Sequence, residues 1–461
     1  MTGTDSLPPT WAKTRLEDVS EIILGQSPPG SSYNADGIGL PFFQGSAEFG
    51  DLYPEIRKWT TKPTKLSKGG DVLLSVRAPV GPTNLAPVDC AIGRGVAAIR
   101  AVDGIEPKYL LYAIRSTESA LASKGTGTTF AAVPGAVVRE HLIPLAPTAE
   151  QRRIVAAIEE QFSRIDVGGS ALQRARRNLQ RMRAAVLQAA VTGRLVPQYP
   201  DDEPAARFLA EVNREAGPYP LPAGWLWARI EDLAEVQGGI QKQPKRRPGK
   251  NAYPFLRVAN VLRSELDLSE VHMIELFDGE LDRYRLRRGD LLVVEGNGSL
   301  DQIGRSALWQ GAIDPCVHQN HLIRVRPGPA LGPNYLNVFW NALSTAAAIQ
   351  AVASSTSGLY TLSTAKVRRV LVAVPPISEQ ERINLEVSRQ LSLIESARLN
   401  IDDVSGRVRS LKATTLGHAF AGRFVPQDSS DEPADVLLDR IKTARAAHES
   451  ATVQMRRRAR R

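Results

Sequence analysis

Cysteine is nearly absent from this 461-residue chain: Cys90 and Cys316 stand far apart, so neither a disulfide framework nor a cysteine zinc cluster is available, and a reducing compartment fits. No window reaches the roughly 18 apolar residues needed to cross a bilayer. Residues 1–9 lack a basic stretch followed by an apolar one, so the chain is expected to be unexported, soluble and cytoplasmic. A phosphate-cradling glycine loop ending in Gly-Lys-Ser or Gly-Lys-Thr is missing, which argues against an ATP-driven motor. The Pro-Pro pairs at Pro8-Pro9, Pro28-Pro29 and Pro375-Pro376 lack the context of a base methyltransferase. Asp290 and Glu295 come nearest to a nuclease carboxylate pattern, but position 297 is Asn where a lysine is required. Cys316-Val317-His318-Gln319-Asn320-His321 resembles a metal cluster without a second group of ligands, so no metal is assigned. No catalytic residue is expected.

What is present is a basic chain with a repeat. Lysine and arginine number 58 against 49 aspartate and glutamate, a formal charge of +9, which favours a polyanionic partner. Leu7-Pro8-Pro9-Thr10-Trp11 returns 214 residues later as Leu221-Pro222-Ala223-Gly224-Trp225. Pro147-Thr148-Ala149-Glu150-Gln151 returns as Pro376-Ile377-Ser378-Glu379-Gln380, now 229 residues on. That offset also relates Gly193-Arg194-Leu195-Val196-Pro197-Gln198 to Gly422-Arg423-Phe424-Val425-Pro426-Gln427, and Asp202-Glu203-Pro204-Ala205 to Asp431-Glu432-Pro433-Ala434. The drift in offset falls between the tryptophan and proline motifs. Each half is therefore a globular region of variable length followed by a constant module.

The constant modules read as long helices. Apolar residues fall seven apart at Ile158, Ile165, Leu172, Leu179 and Val186, with Ala175 and Met182 three beyond two of them. The second copy keeps the register at Val387, Ile394, Ile401 and Val408, with Ala397, Val404 and Leu411 three beyond; only Thr415 breaks the stripe. A helix over 149–192 would span about 65 Å, too long for one small domain. Two antiparallel helices in a coiled coil, related by a pseudo-two-fold axis, satisfy this pattern; two separate amphipathic helices are the alternative. Pro147 and Gly193, with Pro376 and Gly422, mark the ends.

The globular regions show short strands behind Gly-Asp turns at Gly70-Asp71 and Gly289-Asp290, and a short helix at Pro107 and again at Pro333. The fold class is α+β: two α/β domains separated by two long helices. The division is residues 1–146, a helical module at 147–215, a second domain at 216–375, and a second helical module with a basic tail at 376–461. Candidate nucleic-acid contacts in the first domain are Lys62, Lys65, Arg77, Arg94, Lys124, Thr126, Thr128 and Thr129; Lys68 stands among them. In the second they are Gln241, Lys242, Lys245, Arg246, Arg247, Asn260, Asn297, Gln319, Asn320, Ser355, Thr356, Ser357 and Tyr360. These side chains and hydroxyl-rich loops suit phosphate contacts and bidentate bonds to base edges.

The duplicated order, with its Leu-Pro-x-x-Trp, Gly-Asp, Pro-x-x-Glu-Gln and Gly-Arg-x-Val-Pro-Gln motifs, resembles the specificity subunits of Type I restriction-modification systems over nearly the whole chain. That resemblance implies a non-catalytic subunit that binds a bipartite double-stranded DNA target, each domain reading one half and the helices setting the spacer. It also implies docking of methyltransferase subunits, two in number, on the exposed faces of 152–192 and 382–416, with restriction subunits of motor and nuclease activity joining. S-adenosylmethionine, ATP and magnesium would belong to those partners. The alternative is a stand-alone DNA-binding or architectural protein. The run Arg456-Arg457-Arg458-Ala459-Arg460-Arg461 is not demanded by the repeat and is expected to be a disordered tail or a phosphate contact.

Overall fold

The computed structural model describes residues 7–125, 132–209, 215–356 and 359–458. The chain forms two compact units, one of residues 1–172 with 403–461, the other of residues 173–402, so each unit takes one globular region and a part of both long helices.

Both units are built on the same antiparallel four-stranded sheet. In the first, the order is Ser20–Leu24, Val96–Ala101, Val72–Ser75, Thr83–Leu85; in the second it is Ala234–Gly238, Leu322–Pro327, Leu291–Val294, Ser306–Leu308. The Gly-Asp motif explains how the central strands are held. Gly70 and Gly289 have φ of +89° and +95°, a turn conformation that penalises any side chain. The aspartate that follows is buried and grips the adjacent strand: Asp71 receives both Nε and Nη2 of Arg100 at 3.0 and 2.9 Å, and Asp290 receives Arg326 at 2.7 and 2.8 Å. Pro107–Ser116 and Pro333–Trp340 are helices that cover these sheets with Tyr109 and Tyr335, both fully buried. A smaller sheet in each unit contains one parallel pairing, Phe42 with Ala91 and Phe255 with Val317.

The long helices are Thr148–Val191 and Ile377–Phe420. Within the first unit, Ile154, Val155 and Ile158 share a core with Leu416, Ala419 and Phe420; within the second, Val186, Leu187, Ala190 and Val191 share one with Ile383 and Val387. The start of one helix thus meets the end of the other, and the pair runs antiparallel in each unit. Ile158, Ile165, Val186 and Val387 are buried, whereas Leu172, Leu179, Ile394, Ile401 and Val408 are half-buried. Thr415, where the apolar stripe breaks, is buried like Val186, its counterpart.

The residues three beyond the stripe differ from the sequence expectation. Met182, Val404 and Leu411 are exposed at 54, 41 and 43%, because a pair of helices has one narrow seam and a 3.6-residue period drifts away from a seven-residue repeat. A second departure is a helix over Ala434–Arg458. Leu437 and Ile441 bury into the first unit's core, and the Arg445 guanidinium donates to the Glu17 and Ser20 carbonyls. The first three arginines of the basic run therefore lie in a helix, and residues 459–461 are outside the described chain. Among the described residues of the other copy, the corresponding stretch opens with one short turn, Ala205–Phe208.

The repeated motifs converge on one buried lock per unit. Trp11 Nε1 donates to Glu150 Oε2 at 2.9 Å, and Gln427 Nε2 donates to Glu150 Oε1 at 2.5 Å. In the other unit Trp225 and Gln198 donate to Glu379 at 2.8 and 3.0 Å. Beside each lock lies an ion pair, Arg153 with Asp431 and Arg382 with Asp202. The adjacent glutamines tie the helix start to its domain: Gln151 bonds the Ala146 carbonyl and the Glu106 amide, and Gln380 bonds the Pro375 and Ala330 carbonyls and the Gly332 amide. Gly422 and Gly193, at φ +69° and +68°, cap the helices and leave no room for a Cβ, which would sit 2.1 and 2.3 Å from Pro8 and Pro222. Every lock thus joins the opening motif of one copy to the closing motif of the other.

Glu150→Ala strands the buried Trp11 indole, while the exposed Gln427 amide is free to turn to water. It is expected to destabilise the first unit by about 1–3 kcal/mol, with Glu379→Ala doing the same to the second. Urea unfolding followed by tryptophan fluorescence measures this, and an unchanged midpoint in either variant would remove the lock from the account.

Candidate nucleic-acid interface

In each unit four segments meet beyond one end of the four-stranded sheet. In the second unit the first strand ends at Gly238, and Ile240 then donates to the His318 carbonyl at 2.8 Å while accepting from the Asn320 amide at 3.0 Å. Glu295 follows the central strand, its amide bonding the His321 carbonyl at 2.9 Å and its carbonyl taking the Leu362 amide at 2.7 Å. Gly296–Asn297 then pairs with Leu359–Thr361, which pairs with Ser354–Thr356, placing Asn297 opposite Tyr360 and Tyr360 opposite Ser355. Gln241, Gln319, Asn320, Asn297, Tyr360, Ser355 and Thr356 are thereby brought to one contiguous set of loops and short strands.

The first unit repeats the backbone with other side chains. Gly25 donates to Val96 and Gln26 to Ile92, each at 3.0 Å; Val76 donates to Gly95 and Val133 to Val76, each at 2.9 Å. Arg77 bridges Ala132, and the Arg94 amide donates to Ser27 Oγ at 3.4 Å, so Arg77 and Arg94 occupy the corresponding places. Both are exposed, as is Lys65, whose carbonyl accepts the Ile92 amide beside Arg94. Gly25 and Gly239 make this crossing possible: a Cβ on either would lie 2.2 or 2.3 Å from a carbonyl oxygen of the neighbouring turn.

Other predicted contacts fall elsewhere. Lys62 is exposed in the turn after Trp59–Thr60, and Lys124 is exposed in the turn after the Glu118–Ala122 helix. Lys68 leads away from Arg94, since Ser67 pairs with Cys90 at the far end of that strand. Thr126, Thr128, Thr129 and Ser357 lie outside the described residues. Lys242, Lys245 and Arg247 are exposed on the basic loop, where Lys242 and Arg247 line a cavity with His272 and Met273.

Two assignments are corrected. Asn260 is buried, donating to the Asp267 and Glu270 carbonyls and accepting from the Arg257 amide, so its amide group holds a turn and has no face for DNA. Arg246 is committed to Glu280, with both Nη atoms at 2.7 Å from its carboxylate, and its guanidinium stacks on Phe277 at 4.6 Å. That pairing holds the Glu280 carboxyl down at about 2. Neither commitment is visible in sequence because, apart from the Arg257 amide, the partners lie 7 to 34 residues away and are backbone carbonyls or an ordinary glutamate.

His318 is fully buried with Nδ1 at 3.0 Å from the Leu322 carbonyl, and burial pushes its imidazole down to about 4 and the Cys316 thiol up to about 12. No group of three or more potential metal ligands occurs among the described residues. No described helix is long and apolar enough to cross a membrane. Sequence reading missed Gln26, Ser27, Glu295 and His321 as members of the converging loops; the repeated glycines Gly25 and Gly239 were the signal that could have located them.

Residues 8–167 match the family model described as Type I restriction modification DNA specificity domain. The EcoKI specificity subunit of Escherichia coli (strain K12) is 25% identical over 376 residues, covering 78% of this chain and 76% of that protein. The EcoBI specificity subunit of Escherichia coli is 22% identical over 480 residues, covering 96% of this chain and 94% of the relative. The HsdS subunit of Thermoanaerobacter tengcongensis shares the fold, with a TM-score of 0.55 at 21% identity over 91% of this chain and 99% of that one. A chain solved in a study of type I R-M complex assembly and conformational transition reaches a TM-score of 0.68 at 21% identity, with the same coverage. The chain is thus similar to Type I restriction-modification specificity subunits, through the family match over residues 8–167 and through relatives that cover most of its length.

Proposed function

We infer that this chain is the DNA sequence-recognition subunit of a Type I restriction-modification complex. One observation carries the reading: two scaffolds with the same hydrogen-bonded crossing carry different residues at matched positions, Arg94 where the other has Asn320 and Val76 where the other has Glu295. A constant frame with exchanged contact residues is what a bipartite target with unlike halves requires. The likeness to specificity subunits supports this over a stand-alone architectural protein.

Partner docking follows from what the long helices leave uncovered. Val167, Val404 and Leu411 are exposed in the first unit, and Met182, Leu385, Leu393 and Leu399 in the second. Such apolar rows on otherwise charged helices suit an amphipathic partner helix. We assign them to methyltransferase subunits, two on this reading, with restriction subunits joining the assembly. S-adenosylmethionine, ATP and magnesium then belong to those partners, and this chain contributes recognition and no bond-making step. Co-purification from the native host tests the assignment: a methyltransferase subunit is expected with the chain, and its absence would favour the stand-alone reading.

DNA binding by the full chain is expected to fall about 10³-fold or more between 50 and 200 mM salt. Lys242→Ala and Arg247→Ala should each weaken binding to all sequences and reduce the salt slope by about one. Arg246→Met is expected instead to cost about 1–3 kcal/mol of stability by leaving Glu280 without its partner. Fluorescence anisotropy with thermal melts separates the effects, and salt-independent binding would contradict the reading.

A further inference from the structure

Resting on the DNA-recognition reading, we propose that Glu295 is a base-reading acceptor, oriented by His321, for the exocyclic amino group of a cytosine or adenine in the half-site contacted by the second unit. Glu295 is the carboxylate at the centre of the converging segments: its backbone joins the His321 turn on one side and Leu362 on the other. The residue after it, Gly296, starts the short strand that places Asn297 opposite Tyr360.

The other unit has the same backbone at this point. The amide-to-carbonyl bond from Glu295 to His321 has its equivalent in the bond from Val76 to Gly95, both 2.9 Å. The backbone is therefore common, and the carboxylate with its imidazole is an addition peculiar to the second unit. A shared fold does not explain it.

Chemistry narrows its use. Nucleic acid presents phosphate anions, so a carboxylate in the contact surface costs affinity for every sequence unless it meets a donor. A carboxylate accepts and never donates. In the major groove the complementary groups are the amino groups of cytosine N4 and adenine N6. The His321 Nδ1 lies 3.2 Å from Glu295 Oε2, with the carboxylate side chain 30% exposed and the imidazole 54%. That contact fixes the plane of the carboxyl group and leaves Oε1 as the atom assigned to the base. His321 is a positioning residue. At the matched places the first unit has Val76 and Gly95, and its cations stand one residue away, Arg77 after Val76 and Arg94 before Gly95, where their forked donors suit the O6 and N7 acceptors of guanine. The two units are thus built for opposite hydrogen-bonding polarity.

The test uses the full chain, a random-sequence duplex pool, and rounds of binding followed by sequencing, with affinities then measured on the enriched duplex and on unselected pool. Wild type is expected to enrich a two-part motif with cytosine or adenine contacted in one half. Glu295→Ala should make one position of that half degenerate and weaken binding to the enriched duplex about 5- to 150-fold, while affinity for unselected pool holds or rises as a negative charge is lost. His321→Ala should relax the same position less. An unchanged motif, or equal losses on enriched and unselected DNA, would overturn the proposal by showing no reading role or a merely structural one. Failure of wild type to enrich any motif would instead defeat the DNA-recognition reading beneath it.

Discussion

The hydrogen bond between a buried tryptophan indole and the glutamate in the first turn of a long helix is the constraint on which this protein is organised. Glu150 and Glu379 are each nearly inaccessible, and each accepts simultaneously from the tryptophan that opens a domain and from the glutamine that follows the other long helix. A buried carboxylate with fewer partners would be costly. The opening and closing motifs must therefore be kept together in both copies, which is why they recur while the sequence between them diverges.

On that frame the sheets need only hold loops in place. The Asp71 and Asp290 clamps stiffen the central strands, and the glycines at the crossing bring neighbouring turns within hydrogen-bonding reach. Contact residues beyond the strand ends then change without disturbing the support. A recognition protein gains from this separation, because specificity can be altered at loops that bury little of the core.

Much of this architecture is legible in the sequence because its determinants are local. The heptad stripe, the Gly-Asp turns and the proline-led helices at Pro107 and Pro333 each depend on residues within a turn or two. The lock is not legible in that way: Gln427 meets Glu150 across 277 positions, and only folding shows that a repeated glutamine and a repeated glutamate belong to one site. The contact residues divide similarly. Arg77, Arg94, Gln319, Asn320 and Asn297 lie in the loops and short strands that converge at one end of the sheets. Asn260 and Arg246 look the same in sequence and are spent on a turn and on Glu280. The helix over Ala434–Arg458 has no counterpart among the described residues of the other copy, so the repeat could not announce it.

Replacing residues 7–145 by the corresponding domain of another specificity subunit, in the native host, and mapping methylated motifs by long-read sequencing tests the central claim most directly. The account predicts that one half of a bipartite motif changes and the other half is retained. Change in both halves, or in neither, would contradict the idea of two separately supported reading units.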